Sequence, residues 1–212
     1  MVPGRDCIWS RLIKHLYGAL LGALLLHGQA AAAEPGARAV VADLNAALLE
    51  SMQSARELGY EGRYRLLEPV LRQSFDFPAM ARIAVGRAWA DLSASEREQI
   101  VDLFAAMSVA NFAARFDGFS GERFEIVAER AGPRDAVVIE SEIRRPAEEP
   151  VGLDYVVRQT DGRWRIIDVL LDAKYSELAR QRSEFAAVLS DGGLPDLIAS
   201  LERKIRELSG EG

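Results

Sequence analysis

Val151-Gly-Leu-Asp-Tyr-Val-Val-Arg-Gln-Thr160 runs through Asp161-Gly162 into Arg163-Trp-Arg-Ile-Ile-Asp-Val-Leu-Leu171. Val151, Leu153, Tyr155 and Val157 alternate with other residues, the period of a strand with one buried face. Asp-Gly is a turn dipeptide of tight hairpins, because both central residues must take positive φ. The segment therefore predicts two antiparallel strands. Upstream, Ala136 to Arg145 places Val137, Ile139 and Ile143 on one face, and Phe124, Ile126 and Ala128 alternate before it. Gly132-Pro133 and the run Pro146 to Pro150 separate these strands. The expectation is a four-stranded antiparallel meander.

Helical periodicity flanks the sheet on both sides. Val40, Val41, Leu44, Leu48, Met52, Ala55 and Leu58 recur at three-to-four spacing, and Gly59 is the expected stop. A second helix is predicted from Tyr60 to Gln73, with a kink or break near Glu68 caused by Pro69. Asp76 is placed to cap a third helix, with Pro78 in its first turn and Gly86 at its end. Trp89 and Leu92 fall in a connector. Ser93-Ala-Ser-Glu96 is a capping box ahead of a long helix with Ile100, Leu103, Phe104, Met107, Phe112 and Phe116 on its buried stripe. After the sheet, one helix is predicted from Ser176 to Gly192-Gly193. A second, opened by Pro195, covers Leu197 to about Leu208. Helices, a sheet and two more helices make a single α+β domain.

The first 33 residues read differently. Arg5, Arg11 and Lys14 precede an apolar run, Leu16 to Leu26, and Ala30 to Ala33 offer small residues for cleavage. This is the layout of an export signal, and the run falls short of the roughly 20 residues of a spanning helix. The expectation is a signal peptide over 1–33 and one domain over 34–212, exported by cleavage. The segment contains both histidines, His15 and His27, and the only cysteine, Cys7. Without it the chain has no histidine base, no cysteine nucleophile and no zinc site of the usual kind. No Gly-rich phosphate loop and no metal-spaced acidic run is present. The net charge of −6 for the whole chain becomes −8 without that segment, whose three basic residues outnumber its one acid, Asp6. An acidic chain is a poor partner for nucleic acid and for anionic membranes.

Phe75-Asp-Phe-Pro-Ala-Met-Ala-Arg-Ile-Ala-Val-Gly-Arg-Ala-Trp89 is followed by Leu92-Ser-Ala-Ser-Glu-Arg97 and Phe104, then Val151 to Val157, Trp164-Arg-Ile-Ile-Asp-Val169, Tyr175-Ser176 and Arg182-Ser-Glu-Phe185. In order and spacing this set resembles the MlaC, or toluene-tolerance, family of periplasmic lipid-binding proteins. The run Ser176 to Ala187 is most similar to its hopanoid-associated branch, HpnM. The resemblance implies a periplasmic shuttle with no catalytic residues, cofactor or metal. It implies a phospholipid or hopanoid ligand, held in an apolar pocket between sheet and helices. The implied partners are an inner-membrane lipid transporter and an outer-membrane acceptor or donor complex.

Phe104, Met107, Phe112, Tyr155, Trp164, Ile166 and Tyr175 are the pocket candidates, since aromatic and Met side chains line adaptable apolar cavities. Sequence alone does not separate such a cavity from a filled core. A non-catalytic interaction module with a filled core is therefore the alternative, and a carboxylate hydrolase built on Asp168 is a third reading without a second acid. Asp168 itself reads as a local cap or pair, and Trp89 as structural. Where the family has an acid-Gly step after the last strand, this chain has Asp172-Ala173-Lys174, which removes a residue suited to positive φ. Lys174 and Arg182 are the candidate contacts to a head group or partner.

Overall fold

The computed structural model describes residues 36–210; the expected signal segment lies outside the described residues. Four helices precede the sheet: α1 (Ala37–Gln53), α2 (Ala55–Ser74), α3 (Phe77–Val85) and α4 (Ala94–Arg115), with a 3-10 turn over Gly86–Asp91. Strands β1 (Arg123–Ala131), β2 (Val137–Arg144), β3 (Val151–Thr160), β4 (Arg163–Leu171) and β5 (Tyr175–Ser176) follow, and α5 (Glu177–Ser209) ends the chain. The strands form one antiparallel sheet in sequence order. The predicted meander is present, extended by the two-residue β5.

Local chemistry sets most boundaries. Ser93 Oγ accepts the Glu96 N–H while Glu96 accepts the Ser93 N–H, a complete capping box. Asp76 Oδ1 accepts the Ala79 N–H at 3.0 Å, and Gly86 leaves α3 at φ 68°. Gly59 (φ 58°) interrupts α2, as expected of a stop, whereas the backbone stays helical through Pro69, without the expected break. The two predicted C-terminal helices are two arms of α5, bent where Gly193 takes φ 72°.

Two single-residue bulges alter the sheet faces. Val127 is the extra residue of β1, because Ile126 opposes Ser141 and Ala128 opposes the adjacent Glu140. Ala128 therefore leaves the face shared by Phe124 and Ile126. Ile167 is the extra residue of β4: Val156 opposes Asp168 and Val157 opposes Ile166. The inward set on β4 is thus Trp164 and Ile166 before the bulge and Val169 and Leu171 after it. Each bulge shifts every later side chain to the other face.

Helices cover one face of the sheet. Leu44, Leu48, Leu67, Leu71, Ile100, Phe104, Ile139, Tyr155 and Ile166 are fully buried between the layers. A polar clip ties α1 to the sheet: Tyr155 Oη donates to Asn45 Oδ1 at 3.2 Å, and Asn45 Nδ2 donates to Ser141 Oγ at 3.2 Å. Complete burial pushes the Tyr155 hydroxyl far above its ordinary range, so it stays a donor. The buried Arg63 donates from Nε to the Ala113 carbonyl at 2.8 Å and from Nη1 to the Ala55 carbonyl at 3.2 Å, joining α2 to the end of α4. The opposite sheet face carries ion pairs, among them Arg130–Glu140 and Arg144–Glu125.

Hairpin turns supply strain. Arg134 and Asp135, Asp161 and Gly162, and Asp172 and Ala173 all have positive φ, the signature of tight turns whose twist matches the strands. Ala173 at φ 56° gains nothing from its methyl group there. Ala173→Gly raises stability by about 1 kcal/mol, a thermal midpoint shift of roughly 2–4 °C, readable by circular dichroism. Asp76→Ala, which removes a cap and a buried acceptor, lowers stability by about 2–3 kcal/mol in urea unfolding.

Candidate functional site

One face of α4 turns from large to small along its length. Phe104 and Met107 pack into the interior, but Ser108 and Asn111 follow before Phe112 and Arg115. Ser108 turns its hydroxyl back to the Phe104 carbonyl at 2.8 Å. Small polar residues on an inward face leave volume unfilled. A cavity of about 530 Å³ opens there, between the C-terminal half of α4, the first turns of α5 and the inner faces of β2, β3 and β4. This lies within the range of about 300–1,000 Å³ usual for ligand pockets.

The wall is mostly apolar: Met52, Phe75, Met80, Phe112, Phe116, Ile143, Val151, Leu153, Val169 and Leu171. An aromatic ladder supports it, running Phe185–Phe104–Phe77–Phe75–Phe112–Phe116–Phe124 with successive centroids 5.5 to 6.2 Å apart. Its middle rings, Phe75, Phe112 and Phe116, face the cavity, and Phe104 and Phe77 are buried in the core behind them. Exposed residues of the loop after α4 form the mouth. Arg115 and Arg145 stand there with Asp117 and Glu177, a rim of both signs, and the buried Glu122 below them accepts the Ser120 N–H of the loop. Arg145 pairs with Glu148 at 2.9 Å, and Glu177 with Arg180 at 2.9 Å. Arg115 lies in the last turn of α4, where a cation complements the helix dipole.

The structure distributes the sequence candidates as follows. Phe112 lines the cavity. Met107 lines a second, smaller cleft on the other side of α5. Phe104, Tyr155 and Ile166 lie in the filled core, and Trp164 packs half-buried against it. Tyr175 is 68% exposed. Lys174 and Arg182 are exposed and away from the cavity lining, with the Arg182 guanidinium near Gly86. Phe116, Leu153 and Ile143 were accessible from periodicity; Phe75, between α2 and α3, was not. Val169 and Leu171 were not, because the Ile167 bulge reverses the alternation. Trp89 is held by Arg97, which lies over its ring at 5.8 Å and donates to its carbonyl.

Asp168 is engaged at both oxygens. Oδ1 accepts the N–H of Leu178 at 3.0 Å and of Val169 at 2.8 Å, and Oδ2 accepts the Ser176 hydroxyl at 2.5 Å. It ties the start of α5 to β4. Burial raises its carboxyl above the ordinary aspartate value, although these hydrogen bonds pull the other way. Burial also raises Asp154.

A helix-covered antiparallel sheet enclosing an open, largely apolar cavity defines an α+β protein built to hold a small apolar ligand. The MlaC protein family model matches residues 42–203, and the chain belongs to that family. A phospholipid-binding protein from Ralstonia solanacearum, solved in complex with a phospholipid, has the same fold, with a TM-score of 0.69 and 24% identity over 81% of this chain and 96% of that one. No curated protein matches the chain.

Because the folded-state carboxyl of Asp168 is raised, it contributes stability that is fully present below the unfolded value of 3.8 and lost as pH rises through the raised one. Asp168→Asn retains an acceptor but does not titrate. The thermal midpoint of the wild type relative to this variant therefore increases as pH falls from neutral towards 3.8, readable in paired melts across that range.

Proposed function

We propose that this protein is a periplasmic lipid carrier that holds an acyl tail in the 530 Å³ cavity and leaves the head group at the charged mouth. The observation that carries this reading is the cavity itself. A sealed apolar void of that size costs on the order of 10 kcal/mol at ~24 cal/mol per Å³, comparable to the whole stability of a domain at about 5–15 kcal/mol. An open pocket with Phe and Met walls is worth retaining when a ligand fills it. A ~16-carbon tail offers roughly 12 kcal/mol of gross burial at about 0.8 kcal/mol per CH2. A lipid held so strongly leaves slowly unaided, so the carrier exchanges it with an inner-membrane transporter at one end and an outer-membrane complex at the other. The filled-core interaction module is less well supported, because it has no use for this space.

Phospholipid is favoured over hopanoid by the mouth. Arg115 and Arg145 supply donors for a phosphate, and Asp117 lies beside them for an ammonium group. These arginines take the role in which Lys174 and Arg182 were expected. The family membership and the lipid seen in the Ralstonia protein agree with this ligand class.

Organic extraction of the purified protein, followed by lipid mass spectrometry, gives a stoichiometric phospholipid. A hopanoid in its place moves the assignment to the hopanoid branch. No lipid in the extract and no uptake of added phospholipid overturns the carrier reading. Ile143→Lys, which places a charge in the wall, lowers lipid retention at least tenfold while the far-ultraviolet spectrum is unchanged.

A further inference from the structure

A second cleft of about 160 Å³ lies between α4 and the two arms of α5. Its floor is apolar: Met107, Phe185, Leu197 and Leu201 are buried there. Its rim consists of long charged side chains, including Arg203 and Lys204, whose methylene stems can cover a hydrocarbon chain. Among the described residues, Asn111 on α4 and Gln181 on α5 are the two that line both this cleft and the main cavity. They are the partition between the two spaces.

The partition is weakly tied. Gln181 is 93% buried, at 7% exposure, yet its Oε1 has no hydrogen-bond partner among the described residues. A buried amide oxygen normally holds its side chain in place by accepting a hydrogen bond. Here no hydrogen bond to Oε1 is broken when the side chain turns away. Gln181 lies one turn along α5 from Glu177 at the mouth, and Asn111 one turn along α4 from Arg115, so both belong to the cavity wall next to the rim. A tail that fills the main cavity therefore lies against Gln181.

We propose that Gln181, with Asn111, sets the tail capacity of the carrier: the side chain of Gln181 swings aside so that a long acyl chain runs from the main cavity into the cleft under α5. This rests on the lipid-carrier reading and adds a specificity determinant to it. At about 30 Å³ per methylene-sized volume, comparable to a water molecule, the main cavity takes roughly 18 methylenes and the cleft about five more. Tails beyond about 18 carbons are those that need the cleft.

The test uses single-tailed lysophosphatidylcholines of 16, 18, 20 and 24 carbons, below their micellar concentrations, displacing a bound fluorescent lysolipid. Ser200→Trp fills the cleft from a half-buried position that does not touch the main cavity. It weakens the 24-carbon lipid at least tenfold and leaves the 16-carbon lipid within twofold. Gln181→Ala acts in the opposite direction and raises the 24-carbon to 16-carbon affinity ratio several-fold. Opposed effects of this kind are not produced by general destabilisation, and thermal melts of both variants check the fold. An unchanged length profile in both variants overturns the proposal while leaving the carrier reading intact. Failure of every lysolipid and of two-tailed phosphatidylcholine to bind the wild type overturns the carrier reading, and this proposal with it.

Discussion

The buried carboxylate of Asp76 joins the helical layer to the sheet. One oxygen caps α3 through the Ala79 N–H, and the other accepts the Thr160 hydroxyl at 2.9 Å and lies 3.8 Å from the Arg158 guanidinium on β3. The Asp76 N–H donates to the Ile166 carbonyl on β4 at 2.9 Å, next to the bridge between Phe75 and Ile166. One residue thus fixes where α3 begins and how its first turn meets two strands. Phe75 and Phe77, on either side of it, are stacked at 5.5 Å and start the two branches of the aromatic ladder. The branch through Phe75 and Phe112 walls the cavity, and the branch through Phe77 and Phe104 fills the core. A burial this deep is tolerated because the carboxylate is fully hydrogen-bonded and faces a cation.

The pocket follows from what the sequence withholds at that junction. The ladder provides large rings and Met52 and Met80 add adaptable side chains, but Ser108, Asn111 and Gln181 stand in the wall where larger apolar side chains would close the space. The helices keep their spacing because Phe104 and Phe185 pack at 6.0 Å nearby. A rigid aromatic edge beside an under-filled stretch gives a preformed space, and preformed sites lose less in ordering when a ligand enters.

Much of this was legible in the chain. Caps and stops depend on neighbours a few residues away, so Asp76, Gly86 and Ser93 could be read directly, as could Asp161-Gly162. The strand faces were legible until a bulge intervened. A bulge is a one-residue change in hydrogen-bond register and leaves no compositional trace at Val127 or Ile167; the one at Val127 puts Ala128 on the other face from Phe124 and Ile126, and the one at Ile167 brings Val169 and Leu171 inward, where only Trp164 and Ile166 were expected. Tyr155 illustrates a second limit. Its alternation marks it as inward, but the role of clip to Asn45 depends on a residue 110 positions away. Tyr175, read as a wall residue, lies instead at the exposed end of a tight turn. The division of inward residues between core and cavity is a matter of three-dimensional volume, which periodicity does not encode.

The bulge at Val127 also changes what the sheet presents to other molecules. β1 is an open edge, and a flat edge of nine residues would offer unpaired amides to any extended chain. The bulge breaks that row in its middle, and Glu125, Glu129 and Arg130 put charges along it. On the other side the two-residue β5 pairs with Leu170 and Leu171 of β4 before passing into α5, and Phe75 and Asp76 meet β4 at Ile166. The open edge of a sheet with one face uncovered by helices is in this way a poor template for pairing with a second copy of the chain.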